Sequence, residues 1–126
     1  MRLTICVAAA LILSASSAQL AAKPAPFDIK HTSWSFVDNK TRVHESIDAD
    51  GNYIENAVSG KHIDHGTGVM KDGKACFTSA MTKEGEVCWT TPKNALKIGH
   101  SFVATSDKGR KLKVTRIAYT QQKMPK

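Results

Sequence analysis

Seven clusters of turn-forming residues punctuate the chain after its first thirty positions: "VDNKT" (37–41), "DADGN" (48–52), "SGK" (59–61), "KDGK" (71–74), "TKEGE" (82–86), "TPKN" (91–94) and "SDKGR" (106–110). Asn, Asp and Gly serve there because they tolerate positive φ or bond their own backbone. The stretches between them are mostly five to ten residues long, too short for most helices. They are rich in Thr, Val, Ile and aromatics, as strands are.

Several stretches alternate with period two. Trp34 and Phe36 share a face, as do Val43, Glu45 and Ile47, with Arg42, His44 and Ser46 opposite. Ile54 and Val58 line up with Asn56 between them. Ala75 with Phe77, Val87 with Trp89, and Leu112 with Val114 repeat the pattern. No segment from Gln19 onward carries an i, i+3, i+4 stripe, and "NALKIGH" (94–100) makes one helical turn at most. The pattern predicts an all-β fold, an antiparallel meander of about eight short strands. It closes as a small barrel or folds as a β-sandwich. Closure removes exposed strand edges.

The N-terminus reads as a secretory signal. Arg2 precedes the apolar run Leu3–Leu13, and Ser16-Ser17-Ala18 fits a small-x-small cleavage rule. The run is shorter than the roughly 20 apolar residues that a spanning helix needs. Cleavage is expected after Ala18, with Ala22 as the alternative, and the destination is the periplasm or the exterior. Residues 19–32, with "AAKPAPFDIK", form an extended leader. Residues 33–120 form a single β domain, and 121–126 a flexible basic tail.

Cleavage removes Cys6 and leaves Cys76 and Cys88 in an oxidising compartment. The simplest register of the hairpin around "SAMTKEGE" sets Cys76 opposite Cys88, Phe77 opposite Val87 and Ala75 opposite Trp89. The aromatics then fall on the core face and the sulfurs on the other. A cross-strand disulfide follows, closing a loop that is worth roughly 3 kcal/mol on a chain-entropy argument. The alternatives are weaker: zinc wants four ligands, a redox pair is usually C-x-x-C, and a catalytic thiol wants a His partner.

The run "DHGTGVMKDGKACFTSAMTKEGEVCWTT", with "SWSFVDNKT" upstream and "DADGNYI" between, resembles small uncharacterised secreted β-rich proteins of proteobacteria. The shared order is G-T, then D-G-x-x-C-[FY], then G-x-x-C-W, over residues 33–119. The resemblance implies a compact exported domain. It carries no activity and no catalytic residue. The chain departs from the pattern at Gly68, where an aromatic is usual in that group.

Charge is uneven. Residues 19–90 hold eight Lys/Arg and ten Asp/Glu, whereas residues 91–126 hold nine Lys/Arg and one acid, Asp107. Lys108, Arg110, Lys111, Lys113 and Arg116 form a candidate anion-binding stripe, with Lys111 and Lys113 on one strand face. An anionic envelope component is the partner such a stripe suits outside the cytoplasm, and nucleic acid is not expected.

"KHIDHGTG" (61–68) supplies the other candidate. His62, Asp64 and His65 are zinc- or copper-ligand types. Strand spacing sets His62 and Asp64 on one face and His65 on the other, so one ion needs a bend near Gly66 or a remote ligand such as His44, Glu45, His31 or His100. No cofactor is otherwise expected. No nucleophile elbow, phosphate loop or calcium loop is present. Glu45 and Glu55 pair as carboxylates across a hairpin, a common arrangement that assigns no catalysis. The sequence therefore reads as a non-catalytic exported β-domain that binds a small ligand or an envelope polyanion. The alternatives are a metal-binding protein built on the HIDH segment and a secreted enzyme inhibitor.

Overall fold

The structure, a computed structural model, describes residues 15–20 and 22–126. The apolar run behind the signal-peptide reading lies outside the described residues. Eight antiparallel strands follow: β1 Thr32–Asp38, β2 Thr41–Ile47, β3 Asn52–Ala57, β4 His62–Lys71, β5 Lys74–Ser79, β6 Glu86–Thr90, β7 Ser101–Thr105 and β8 Lys111–Ile117. They form one sheet in the order β6-β5-β4-β3-β2-β1-β8-β7. No helix occurs among the described residues, and none there is long and apolar enough to cross a membrane.

The sheet curls until β6 approaches β7, giving a nearly closed barrel. A Trp89–Ser106 bridge joins the two edges. The Asp107 amide donates to the Cys88 carbonyl (2.9 Å), and the Thr105 amide donates to Thr90 Oγ1 (2.9 Å). The expected barrel therefore prevails over the sandwich. Tight hairpins make the curl possible. Asn39 and Lys40 both have positive φ (46° and 64°), as do Asp72 and Gly73 (51° and 72°). Two successive left-handed residues match the twist of the flanking strands.

Most of the alternation read from the sequence holds. Trp34, Phe36, Glu45, Ile47, Ala75, Phe77, Val87, Trp89, Leu112 and Val114 all line the interior. The exception is β3. The "DADGN" turn sets Ile47 opposite Tyr53. Tyr53 and Glu55 therefore point inward. Ile54 and Asn56 point outward, and Val58 is exposed in the turn that follows. A one-residue phase difference flips every side chain of a strand.

The leader is more than a spacer. The Phe27 amide donates to the Lys93 carbonyl (3.1 Å), and Pro26 bridges to Asn94. Phe27 and Ile29 are buried and plug one end of the barrel. Phe27, Trp34 and Phe102 pack ring to ring at 5.7–5.9 Å. Residues after Ala118 lie along the outer face of β1–β3, so the segment expected as a free tail is tied down as far as Lys123. The Thr120 amide donates to Ser33 Oγ (3.0 Å), the Gln122 amide to Ser46 Oγ (2.8 Å), and Asn56 Nδ2 to the Lys123 carbonyl (3.0 Å). That cover explains why Ser33 and Ser46, outward on their strands, are almost fully buried.

Cys76 and Cys88 form the expected disulfide, with Cys76 opposite Cys88, Phe77 opposite Val87 and Ala75 opposite Trp89.

Candidate functional site: an acid-lined cavity in the barrel

The barrel encloses a cavity of about 360 Å³. Its floor is the Phe27–Ile29 plug. Its walls carry residues from every strand, and Asp38, Glu84, Lys108 and Arg110 stand at the opposite, open end. Small-molecule sites commonly run from roughly 300 to 1,000 Å³ and are mostly apolar with a few placed polar groups. Trp34, Phe36, Phe77 and Phe102 supply the apolar wall here.

The polar groups are mostly acids. Glu45, Glu55 and Asp64 stand side by side on β2, β3 and β4, with Glu45 opposite Glu55 and Glu55 opposite Asp64. All three line the cavity. Asp64 is fixed by three donors: Tyr53 Oη (2.9 Å), Ser79 Oγ (2.6 Å) and the His65 amide (2.8 Å). Glu45 is 7% exposed and is held by no hydrogen bond from a described residue. Every fully buried side-chain nitrogen or oxygen among the described residues has a partner. The free Glu45 oxygens therefore face the open space of the cavity.

This crowding shifts the acids. Burial, then the charges of Glu55 and Asp64, raises Glu45 well above the ordinary glutamate value. Burial, then Asp64 and Asp38, lifts Glu55 to about 7, with Arg110 opposing. Burial and the Asp64 carboxylate raise the Tyr53 phenol. Desolvation and like charge both disfavour the ionised acid, and here they act together. Arg110 is the cation that reaches this group from the rim. It is already engaged: its Nη2 donates to both Asp38 oxygens (2.9 and 3.0 Å), and its guanidinium lies 5.8 Å over the Trp89 ring.

Gly66 and Gly68 shape the wall beside Asp64. A Cβ on Gly66 would lie 2.0 Å from the Thr78 carbonyl oxygen, and one on Gly68 would lie 2.7 Å from the Phe77 ring. The Phe77 ring of the neighbouring strand thus occupies the space beside Gly68 and covers the glycine.

The predicted metal triad is not assembled. A bulge at Ile63 shifts the β3–β4 register, pairing Glu55 with Asp64 but Asn56 with His62. His62 and His65 consequently come together, with His62 Nε2 3.0 Å from His65 Nδ1 and His62 Nδ1 2.8 Å from Asn56 Oδ1. Asp64 instead lines the cavity with Ile63. The expected grouping of His62 with Asp64 is thus reversed. Among the described residues, Cys76, Glu86 and Cys88 are the trio whose potential ligand atoms lie within 4.8 Å of one another. Their sulfurs are already joined, and a disulfide offers no thiolate to a metal.

Nor do the basic residues act as one stripe. Lys111 and Lys113 are exposed on β8, Arg110 turns to Asp38 at the cavity rim, and Arg116 donates to the Leu96 carbonyl in the β6–β7 loop. Lys108 lines the rim with Arg110.

The sequence offered Glu45 as a remote metal ligand and paired it with Glu55 without assigning catalysis, and it missed Tyr53, Ser79 and the turn of Asp64 towards them. One signal was readable: Glu45 sits between Val43 and Ile47 on an apolar face, which is unusual for an acid. Compared with known proteins, the chain matches no family model, no curated protein and no solved structure.

Proposed function

We propose that the protein is a non-catalytic, exported carrier that holds a small ligand inside its barrel. The observation that carries this reading is the cavity of about 360 Å³, plugged at one end, lined by aromatics and acids, and bordered by side chains at the other. Export rests on the reading of the N-terminus. On this wall Ser79 Oγ donates to Asp64 and accepts from the Met81 and Thr82 amides, which favours a strand-end turn anchor over a nucleophile. Retention of an envelope polyanion finds less support, because Arg110 is paired with Asp38 at the rim and Arg116 with the Leu96 carbonyl.

Occupancy is directly readable. The chain has two tryptophans, Trp34 and Trp89, and both line the cavity. Titration with the neutral apolar probe N-phenyl-1-naphthylamine is expected to change their emission saturably, with one probe per chain. Filling the cavity by Ala104→Phe or Leu112→Trp should abolish the change, provided the far-UV spectrum still reports a folded barrel. A wild-type protein that leaves the probe in water at every concentration would end the carrier reading.

A further inference from the structure

We infer that the ligand is an organic cation, an ammonium or amidinium group on a compact apolar body. The inference rests on the carrier reading above and specifies what that cavity takes.

Three observations converge. The first is a buried side chain with no partner. Glu45 is 7% exposed, has no hydrogen bond from a described residue, and directs its carboxylate into the cavity. Burying such a group is costly unless something pairs with it. A barrel wall does not need an acid there, since the flanking inward positions are Val43 and Ile47, which are 1% and 0% exposed.

The second is the charge balance of the interior. Glu55 and Asp64 stand beside Glu45, and Arg110, whose charge acts on Glu55, is bound by Asp38 at the rim. Asp64 is held as an acceptor by Tyr53 and Ser79. The wall beside Glu45 thus presents acceptors to an occupant, and the cations that line the cavity among the described residues, Lys108 and Arg110, stand at the rim rather than beside Glu45.

The third is spacing. The three carboxylates do not form a set with oxygens mutually within 4.8 Å. One small metal ion, with ligand distances near 2–2.6 Å, would need them closer. A charged nitrogen with several N–H donors spans a wider arc, and the aromatics beside Glu45 on β1, Trp34 and Phe36, suit its apolar body and its charge.

The test uses three probes of one shape on the full chain: phenethylamine, phenethyl alcohol and 3-phenylpropionate. Each is titrated at mildly alkaline pH while tryptophan emission is read, with calorimetry as the second measure. Phenethylamine is expected to bind about tenfold or more tighter than phenethyl alcohol, with 3-phenylpropionate weakest. Glu45→Gln should remove most of that preference, weakening phenethylamine far more than phenethyl alcohol. Glu55→Gln should reduce it. Both variants remove a buried charge and should fold, which thermal melts verify. Equal binding of the amine and the alcohol overturns the cation inference and leaves the carrier reading standing. Tighter binding of the carboxylate overturns it as well and points to protonated acids acting as donors. Failure of all three probes together with N-phenyl-1-naphthylamine overturns both readings. A preference for the amine that survives in Glu45→Gln and Glu55→Gln alike shows that the charge is read elsewhere, and likewise sinks the inference.

Discussion

Glu45 and Glu55 lie directly opposite one another on β2 and β3, and both point into the same cavity. An antiparallel pair brings such side chains close, and like charges there repel. The register that creates this conflict also gives the molecule its most distinctive property, an interior that resists ionisation.

The first prediction concerns pH. Burial raises Glu45 and Glu55, and the neighbouring acids add to it. The groups facing them are Asp64 on β4, Asp38 at the end of β1 and Arg110 beside β8, with the Tyr53 phenol between. An acid whose folded value lies above its unfolded one keeps its proton longer in the folded chain. Between about pH 4.5 and about 7 the folded state therefore binds more protons than the unfolded state, and stability falls as pH rises. Melting temperature should be higher near the acid end of that window than above it. Glu45→Gln should flatten the profile and raise stability on the alkaline side. Calorimetric or circular-dichroism melts across the window provide the check, and a profile that rises with pH in the Gln variant and wild type alike contradicts the argument.

The second concerns the glycine beside the site. A methyl group on Gly66 would meet the Thr78 carbonyl oxygen at 2.0 Å and the Tyr53 ring at 2.9 Å. The first of these is backbone, which cannot swing aside. Gly66→Ala should therefore cost about 1–3 kcal/mol or more by overpacking. Urea denaturation measures it. Gly60→Ala makes the control: nothing lies within 4 Å of its added carbon, so its cost comes only from its positive φ of 101°.

A third concerns the disulfide. Cys76 and Cys88 are twelve positions apart and close the β5–β6 hairpin at the barrel edge that faces β7. Replacing both by Ala should lower stability by roughly 3 kcal/mol if loop closure dominates. The Asp107 amide bonds to the Cys88 carbonyl, so loosening this hairpin also loosens the joint with β7. Hydrogen exchange at Thr105 and Asp107 should then accelerate more than exchange at Val43 or Ile47, which lie in the middle of the sheet. Equal acceleration at all four amides would show that the staple acts on the whole barrel alone.

Much of the architecture was legible because its causes are local. Turn residues at 39–40 and 72–73 fix hairpin geometry within a few residues, and period-two alternation marks the inner face of β1, β2, β5, β6 and β8. The cysteine register needed only the length of one turn. Where two consecutive residues of one strand were both apolar, as with Tyr53 and Ile54 on β3, the local pattern misled. The phase there was decided by the partner residue Ile47 across the turn.

The sequence by itself determined an eight-stranded antiparallel sheet, its hairpins and its cross-strand disulfide, since each depends on neighbours along the chain. The tertiary structure alone decided the site. A bulge at Ile63 sent Asp64 inward and drew His62 against His65, and curling of the sheet made a shared interior for Glu45, Glu55 and Asp64. The same curl let Phe27, distant in sequence from Phe102, seal one end. Those outcomes depend on side chains meeting across the barrel, and packing between remote segments leaves no period in the sequence to read.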